Sequence, residues 1–70
     1  MQHQIGENAG KIWQFLSQAR AVKLVKEIAK GTNLKEADAL LAVGWLAKED
    51  KLKFEGDPKG GIAAVKVGLK

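Results

Sequence analysis

The side chains that could carry out catalysis are few in this sequence of 70 residues, and they are scattered along it. His3 is the sole histidine, and the hydroxyl side chains of Ser17 and Thr32 have no histidine near them in sequence. Glu36 and Asp38 would point about 200° apart on a helix, so they do not form a paired acid and base. The chain has no cysteine, and no clustered metal ligands are visible. We therefore expect no enzymatic activity, no metal and no other cofactor.

The stretch "GDPKGG" at residues 56–61 combines glycines with a lysine, as phosphate-binding loops do. It lacks the spacing and the Lys-Ser/Thr pair of the nucleotide-binding motif, and no helical pattern follows it. Its proline and three glycines are typical of a turn. We interpret the stretch as the turn of a β-hairpin.

Apolar spacing predicts three helices, over about residues 5–19, 24–30 and 34–49, with a brief strand over about 21–23. Residues 1–4 are polar and are expected to be frayed. Gly31 and Asn33 tolerate the left-handed conformation that ends helices, so we place a turn between the second and third helices. The first helix has a stripe of apolar residues at three- and four-residue steps: Ile5, Ala9, Ile12, Leu16 and Ala19.

After the third helix the apolar period changes to two, which predicts strands. Leu52 and Phe54 alternate with charged residues, which predicts a half-buried strand over about residues 51–55. A second strand is expected over about residues 62–69, and the two strands around the glycine-rich turn form a hairpin. One face of that second strand carries Ala63, Val65, Val67 and Leu69.

Two helices joined by a short turn and followed by a hairpin define an α+β fold, the winged helix-turn-helix. The segment "VKEIAKGTNL" is similar to the helix-2 and turn signature of small bacterial and archaeal proteins with this fold. "IGENAGKIWQFL" together with "LLAVGWLAKEDKLKFE" resembles a short, uncharacterised winged helix family. The resemblance covers nearly the whole chain and implies one domain over residues 5–70, a homodimer and a DNA-binding role.

The starts of the second and third helices depart from that family pattern, which often has Ser or Thr there. Leu24 and Lys35 occupy the corresponding positions. Losing a capping side chain costs about 1 kcal/mol. Either another residue supplies a cap, such as Asn33 for the third helix, or tertiary packing compensates.

The third helix has apolar residues on two sides, which is unusual for a surface helix. We assign Ala39, Val43 and Leu46 to the core, with Leu40 and Ala47 beside them, following the resemblance. The opposite side carries Leu41 and Trp45 one turn apart. We expect a homodimer contact there, anchored by Leu41 and Trp45; Gly44 would allow close approach and Trp13 would join. The alternative is that Trp45 covers the core of its own domain. The interface residues of this hypothesis are Leu41, Gly44, Trp45 and Trp13.

The formal net charge of +4 suggests a nucleic-acid partner, but residues 34–50 carry a net charge of −2. Base readout by the third helix is therefore disfavoured, since Glu36 and Asp38 lie near its start and its outer side is apolar. An alternative function is a DNA-binding transcription regulator that contacts phosphates. Its candidate contacts are Lys23, Lys26 and Lys30 near helix 2, and Lys53, Lys59 and Lys66 in the hairpin; for each of these groups an ordinary solvated surface is the favoured interpretation.

The sequence also carries information about location and other partners. No apolar run approaches the roughly 18 residues of a membrane span, and "MQHQIGENAG" lacks the features of a signal peptide. These features, with the absence of cysteine, predict a cytoplasmic protein with no membrane association. A larger protein partner is a third alternative, whose identity the sequence does not give.

Overall fold

The computed structural model describes residues 2–56 and 58–70, apart from the side chains of residues 2, 58 and 63. Three helices and a small antiparallel sheet of three strands make up the α+β fold that the sequence predicts. Two 3-10 turns, Pro58–Gly60 and Ile62–Ala64, lie between the second and third strands. The helices and strands are α1 (Gln2–Ala19), β1 (Lys23–Leu24), α2 (Val25–Thr32), α3 (Glu36–Lys48), β2 (Leu52–Glu55) and β3 (Lys66–Leu69).

Helix α1 supplies one wall of the core. Ala9, Ile12 and Leu16 of the predicted stripe are buried, as their spacing indicates. The helix begins at Gln2, however, so the expectation that residues 1–4 are frayed is wrong for residues 2–4. Apolar periodicity could not reveal this first turn because it is polar; His3 Nε2 lies 2.9 Å from a carboxylate oxygen of Glu7, one turn along.

The connection between α2 and α3 depends on Asn33, which adopts the left-handed conformation with φ 58°. The N–H of Leu34 donates a hydrogen bond of 2.9 Å to the carbonyl of Ala29 and closes the end of the helix. Helix α2 extends to Thr32, beyond the predicted end at residue 30, so Gly31 lies within it. A methyl group added at Gly31 would lie 2.3 Å from Cε1 of Phe15, so this glycine serves packing and not the turn.

Leu24 and Lys35 precede α2 and α3, and neither supplies a side-chain cap. The N–H of Leu24 donates instead to a carboxylate oxygen of Glu27 at 3.0 Å, which satisfies one backbone donor at the start of α2. Asn33 does not occupy the cap position of α3, which begins at Glu36, two residues later than predicted. Residues 35–38 are all exposed, so solvent can satisfy the first backbone N–H groups of α3.

Helix α3 packs on the core through Ala39, Ala42, Val43 and Leu46, all of which are buried. The buried side of α3 nearly coincides with the predicted side, but the centre of the buried side lies closer to Ala42 than predicted. Leu40, expected beside the core, is 41% exposed as a result.

The sheet has the order β1-β3-β2, so β3 is its central strand and β2 lies at an edge. Phe54 on β2 faces Val67 on β3 in the pairing register. Val67 is fully buried, whereas Phe54 is 46% exposed. The predicted burial of Phe54 is wrong because alternation defines which residues share a face of a strand, but not whether that face is covered at an edge.

The last predicted strand, over residues 62–69, is shorter in the structure because its first part forms a 3-10 turn. Gly61 has a φ of 78°, and its carbonyl accepts a 3.1 Å hydrogen bond from the N–H of Ala64. Val65 and Val67 are buried on the predicted face, while the side chain of residue 63 lies outside the described part. The first strand is also displaced, to Lys23–Leu24 from the predicted residues 21–23.

Candidate interaction surfaces

Trp13 and Trp45 line one groove between α1 and α3, although they lie far apart in sequence. We call this the tryptophan groove; its volume is about 280 Å³. Trp13 is 47% exposed and is therefore a large aromatic surface that this chain leaves uncovered. The groove is lined by Gly6, Ala9, Gly10, Trp13, Trp45, Leu46, Glu49 and Lys51.

Trp45 is half-buried and packs against the core of its own chain. Its ring also lies 5.7 Å from the ammonium group of Lys48, within the range of a cation–π interaction. The expectation of an outward-pointing Trp45 therefore needs correction: this residue covers part of the core, as the alternative proposed, and still contributes one wall of the groove.

Gly6 and Gly10 were not identified as functional candidates from the sequence. A methyl group added at either residue would meet no heavy atom within 4 Å, so both glycines leave open space beside Trp13. Their four-residue spacing places them on the same side of α1, and this spacing was the available signal. Small residues in this arrangement permit the close approach of another chain.

Leu41 is 51% exposed, as expected for the outer side of α3. It lines a smaller depression at the α1–α3 contact with Ile5, Asn8 and Asp38, and it is not part of the tryptophan groove. Gly44 is exposed and has no heavy atom within 4 Å of an added methyl group, but it lines neither depression. The structure therefore places Trp13 and Trp45 in one groove, and neither Leu41 nor Gly44 lines that groove.

The two charged residues that line the tryptophan groove have opposite signs. Glu49 and Lys51 both line it, and their charged atoms lie 3.9 Å apart. Both side chains are about half exposed, so this ion pair contributes little stability. The lining of the groove therefore carries no net charge among the described residues.

Lys23, Lys26 and Lys30 line a separate pocket of about 440 Å³ beside Phe15 and Glu27. Among the described residues, none of these three lysines takes part in an ion pair. The hairpin lysines do not join them: Lys53 lines a different pocket, and Lys66 lies on β3 opposite Glu55. Lys59 lies in the first 3-10 turn. The six lysines predicted as phosphate contacts therefore do not line one common surface.

The described residues contain no group of His, Cys, Asp and Glu side chains that could hold a metal ion. The hydroxyl group of Thr32 donates to the backbone carbonyl of Ile28 at 2.7 Å, so it is engaged in helix structure. In the same part of the chain, no helix has the length and apolar character needed to cross a membrane.

Comparisons with known proteins agree with the fold. An uncharacterized protein of Methanocaldococcus jannaschii, MJ1608, is 32% identical over 63 residues, which cover 89% of this chain and 90% of that protein. The solution NMR structure of protein BT2368 from Bacteroides thetaiotaomicron is 33% identical. It superimposes with a TM-score of 0.77 and covers 96% of this chain and 76% of that chain.

The helix order, the turn at Asn33 and the β2–β3 hairpin define a winged helix protein. The family model described as "Winged helix-turn-helix domain (DUF2582)" matches residues 1–64. The chain belongs to this winged helix-turn-helix family, and the resemblance inferred from the sequence is confirmed.

Proposed function

We propose that this protein is a non-enzymatic, cytoplasmic interaction module that forms a homodimer through the tryptophan groove. The observation that carries the proposal is the side-by-side arrangement of a 47% exposed Trp13 and the open space at Gly6 and Gly10. The proposed contact moves the interface from the outer side of α3, with Leu41 and Gly44, toward the α1–α3 groove. Leu41 then contributes at its periphery.

A protruding aromatic ring beside a glycine-lined groove suits a symmetric dimer. In a two-fold interface each surface meets its own copy, so a projection must lie beside the depression that receives it. Trp13 of one protomer would lie over Gly6 and Gly10 of its partner, and the reciprocal contact would bury the second Trp13. Balanced charges at Glu49 and Lys51 allow the two surfaces to approach without repulsion.

The expected contribution of Trp13 is large. A tryptophan buries about 150–250 Å² and, at the centre of an interface, its removal typically costs 2 kcal/mol or more. Each dimer contains two such contacts, a loss of about 4 kcal/mol or more, so Trp13→Ala should weaken dimerisation by roughly a thousandfold.

Sedimentation equilibrium over a range of protein concentrations tests the proposal. The wild type should show a reversible monomer–dimer equilibrium, and Trp13→Ala should be monomeric over the same range. Phe54→Ala is the matched control, since Phe54 is also an aromatic residue about half exposed but lies on β2. A monomeric wild type, or equal weakening by Phe54→Ala, would contradict the groove as the interface.

A second candidate function, DNA binding through phosphate contacts, is favoured by the clustering of Lys23, Lys26 and Lys30 in one pocket. Three cations on one surface can each displace a counterion condensed on DNA. One observation argues against DNA binding: the first turn of α3 carries Glu36 and Asp38. In winged helix proteins this helix usually enters the major groove, and the two carboxylates would repel the phosphates there.

Titration of fluorescent duplex DNA at low and moderate salt distinguishes this candidate. Binding through the three lysines should weaken steeply with salt, and Lys26→Gln with Lys30→Gln should reduce the slope of log K against log salt by about 2. Lys11→Gln, a change of the same charge on α1, serves as control. Absence of binding at low salt would exclude this function and would leave the dimer proposal unaffected.

A further inference from the structure

Another pocket lies between the end of α1 and the sheet, and it shares no lining residue with the tryptophan groove. We propose that this pocket binds a small organic anion, with a carboxylate or phosphate head group and a short apolar body. Its volume is about 300 Å³, at the lower end of the range typical of small-molecule sites. It is lined by Leu16, Ser17, Arg20, Ala21, Val22, Lys53, Gly68 and Leu69.

Among the described residues, the charged side chains that line this pocket are all of one sign. Arg20 from the end of α1 and Lys53 from β2 contribute two cations, and no acidic residue of the described part belongs to the lining. Among the described residues, neither cation takes part in an ion pair or a side-chain hydrogen bond. Ser17, whose side chain carries a hydroxyl donor, belongs to the same lining. These groups together suit an anionic oxygen cluster.

The backbone of Arg20 provides an independent argument. Arg20 has a φ of 52°, in the left-handed region, and its N–H donates to the carbonyl of Leu16 at 3.1 Å. Helices commonly end with a residue in this conformation, and glycine is the usual one because it has no Cβ to clash. Asn33 and Asp50, the other non-glycine residues at positive φ in the described chain, are of types that tolerate it.

Arginine at such a position retains a long cationic side chain where glycine would be more favourable. Strained backbone conformations of this kind concentrate at functional sites. We therefore infer that the guanidinium group of Arg20 is the main recognition element, because its planar donors can bind one carboxylate or phosphate in a bidentate manner.

The remaining walls define the apolar part of the ligand. Leu16, Val22 and Leu69 line the pocket, and the first and last of these belong to or pack against the hydrophobic core. A methyl group at Gly68 would lie 2.7 Å from Cγ1 of Val22, so glycine at this position lets Val22 pack closely on β3. A short alkyl chain would lie on this floor while its head group reaches Arg20 and Lys53.

NMR titration of the ¹⁵N-labelled protein with pentanoate and with propyl phosphate tests the proposal, with pentanamide and propanol as uncharged counterparts. At least one anion should shift the amide signals of Arg20, Val22 and Gly68 saturably, with a Kd in the roughly millimolar range. The comparison between the two anions identifies the head group. Linear, unsaturated shifts with both anions, or equal effects of the uncharged compounds, would overturn the proposal.

Variants separate binding from structure. Arg20→Gly should leave the midpoint of thermal unfolding unchanged or higher, because glycine adopts a φ of 52° without strain, while the anion binds roughly tenfold or more weakly. Lys53→Gln should weaken binding in the same direction, and Lys11→Gln, an equal charge change elsewhere on α1, should not. Unchanged affinity in Arg20→Gly would overturn the role of this residue, and with it the site.

Discussion

Gly10 and Gly31 both lie inside helices, and the structure predicts opposite effects of replacing them with alanine. Glycine within a helix is less favourable than alanine by up to about 1 kcal/mol. A methyl group at Gly10 meets no heavy atom within 4 Å, so Gly10→Ala should stabilise the monomer by roughly 0.5–1 kcal/mol.

At Gly31 the same methyl group would lie 2.3 and 2.6 Å from two ring atoms of Phe15, well inside contact distance. Phe15 packs against the core, so its ring must move away and lose contacts. Overpacking of this kind costs typically about 1–3 kcal/mol, which outweighs the gain in helix propensity. Gly31→Ala should therefore be destabilised relative to Gly10→Ala by roughly 1–3 kcal/mol.

Urea and thermal unfolding, followed by circular dichroism at dilute protein, measure this difference in the monomer. For a domain of this size, 1 kcal/mol corresponds to about 4–8 °C in Tm. Gly10→Ala should unfold at a higher temperature than the wild type and Gly31→Ala at a lower one than Gly10→Ala. If Gly31→Ala were as stable as Gly10→Ala, Phe15 would not lie on Gly31. If Gly10→Ala were destabilised, the space beside Trp13 would not be open.

Three further predictions concern the core and the ends of α2. Ile28→Ala, at a fully buried position, should lose about 2–5 kcal/mol, a large part of the total stability of such a domain, so its urea midpoint should fall sharply. Asn33→Ala should lose about 1 kcal/mol in urea unfolding because of its left-handed φ, whereas Asn33→Gly should not; equal losses would contradict the conformational argument. Glu27→Gln should lose about 0.3–1 kcal/mol, measured by thermal unfolding at low salt and reduced at high salt, because its charge faces the Leu24 N–H at the start of α2; a loss that salt does not change would contradict this cause.

The sequence predicted the parts of the fold that depend on local pattern. The burial of Ile12 and Leu16 follows from helical spacing, and the end of α2 follows from the tolerance of Asn33 for the left-handed conformation. The beginning of α1 and the 3-10 turn after Gly61 were missed, since neither has an apolar period that could indicate it.

The candidate sites were harder to predict because they depend on which elements lie side by side. A helical wheel shows that Trp45 points away from Val43, but it does not show that α1 lies beside that flank. Trp13 and Trp45 line one groove because α1 packs against α3. Arg20 and Lys53 line one pocket because the end of α1 lies against the sheet. The four-residue spacing of Gly6 and Gly10 is visible in the sequence. It suggests an interface only once the structure shows the exposed ring of Trp13 beside them.

The proposed contact between two copies of the tryptophan groove is tested most directly by isotope-filtered NOE spectroscopy on a mixture of labelled and unlabelled protein. The proposal predicts intermolecular NOEs from the ring protons of Trp13 to the Hα protons of Gly6 and Gly10. These NOEs should disappear in Gly10→Leu, because a Cβ at this position meets no heavy atom within 4 Å and the rest of the leucine side chain would occupy the groove. A dimer whose intermolecular NOEs arise only from other surfaces, or a sample without any such NOEs at concentrations where dimer is present, would contradict it.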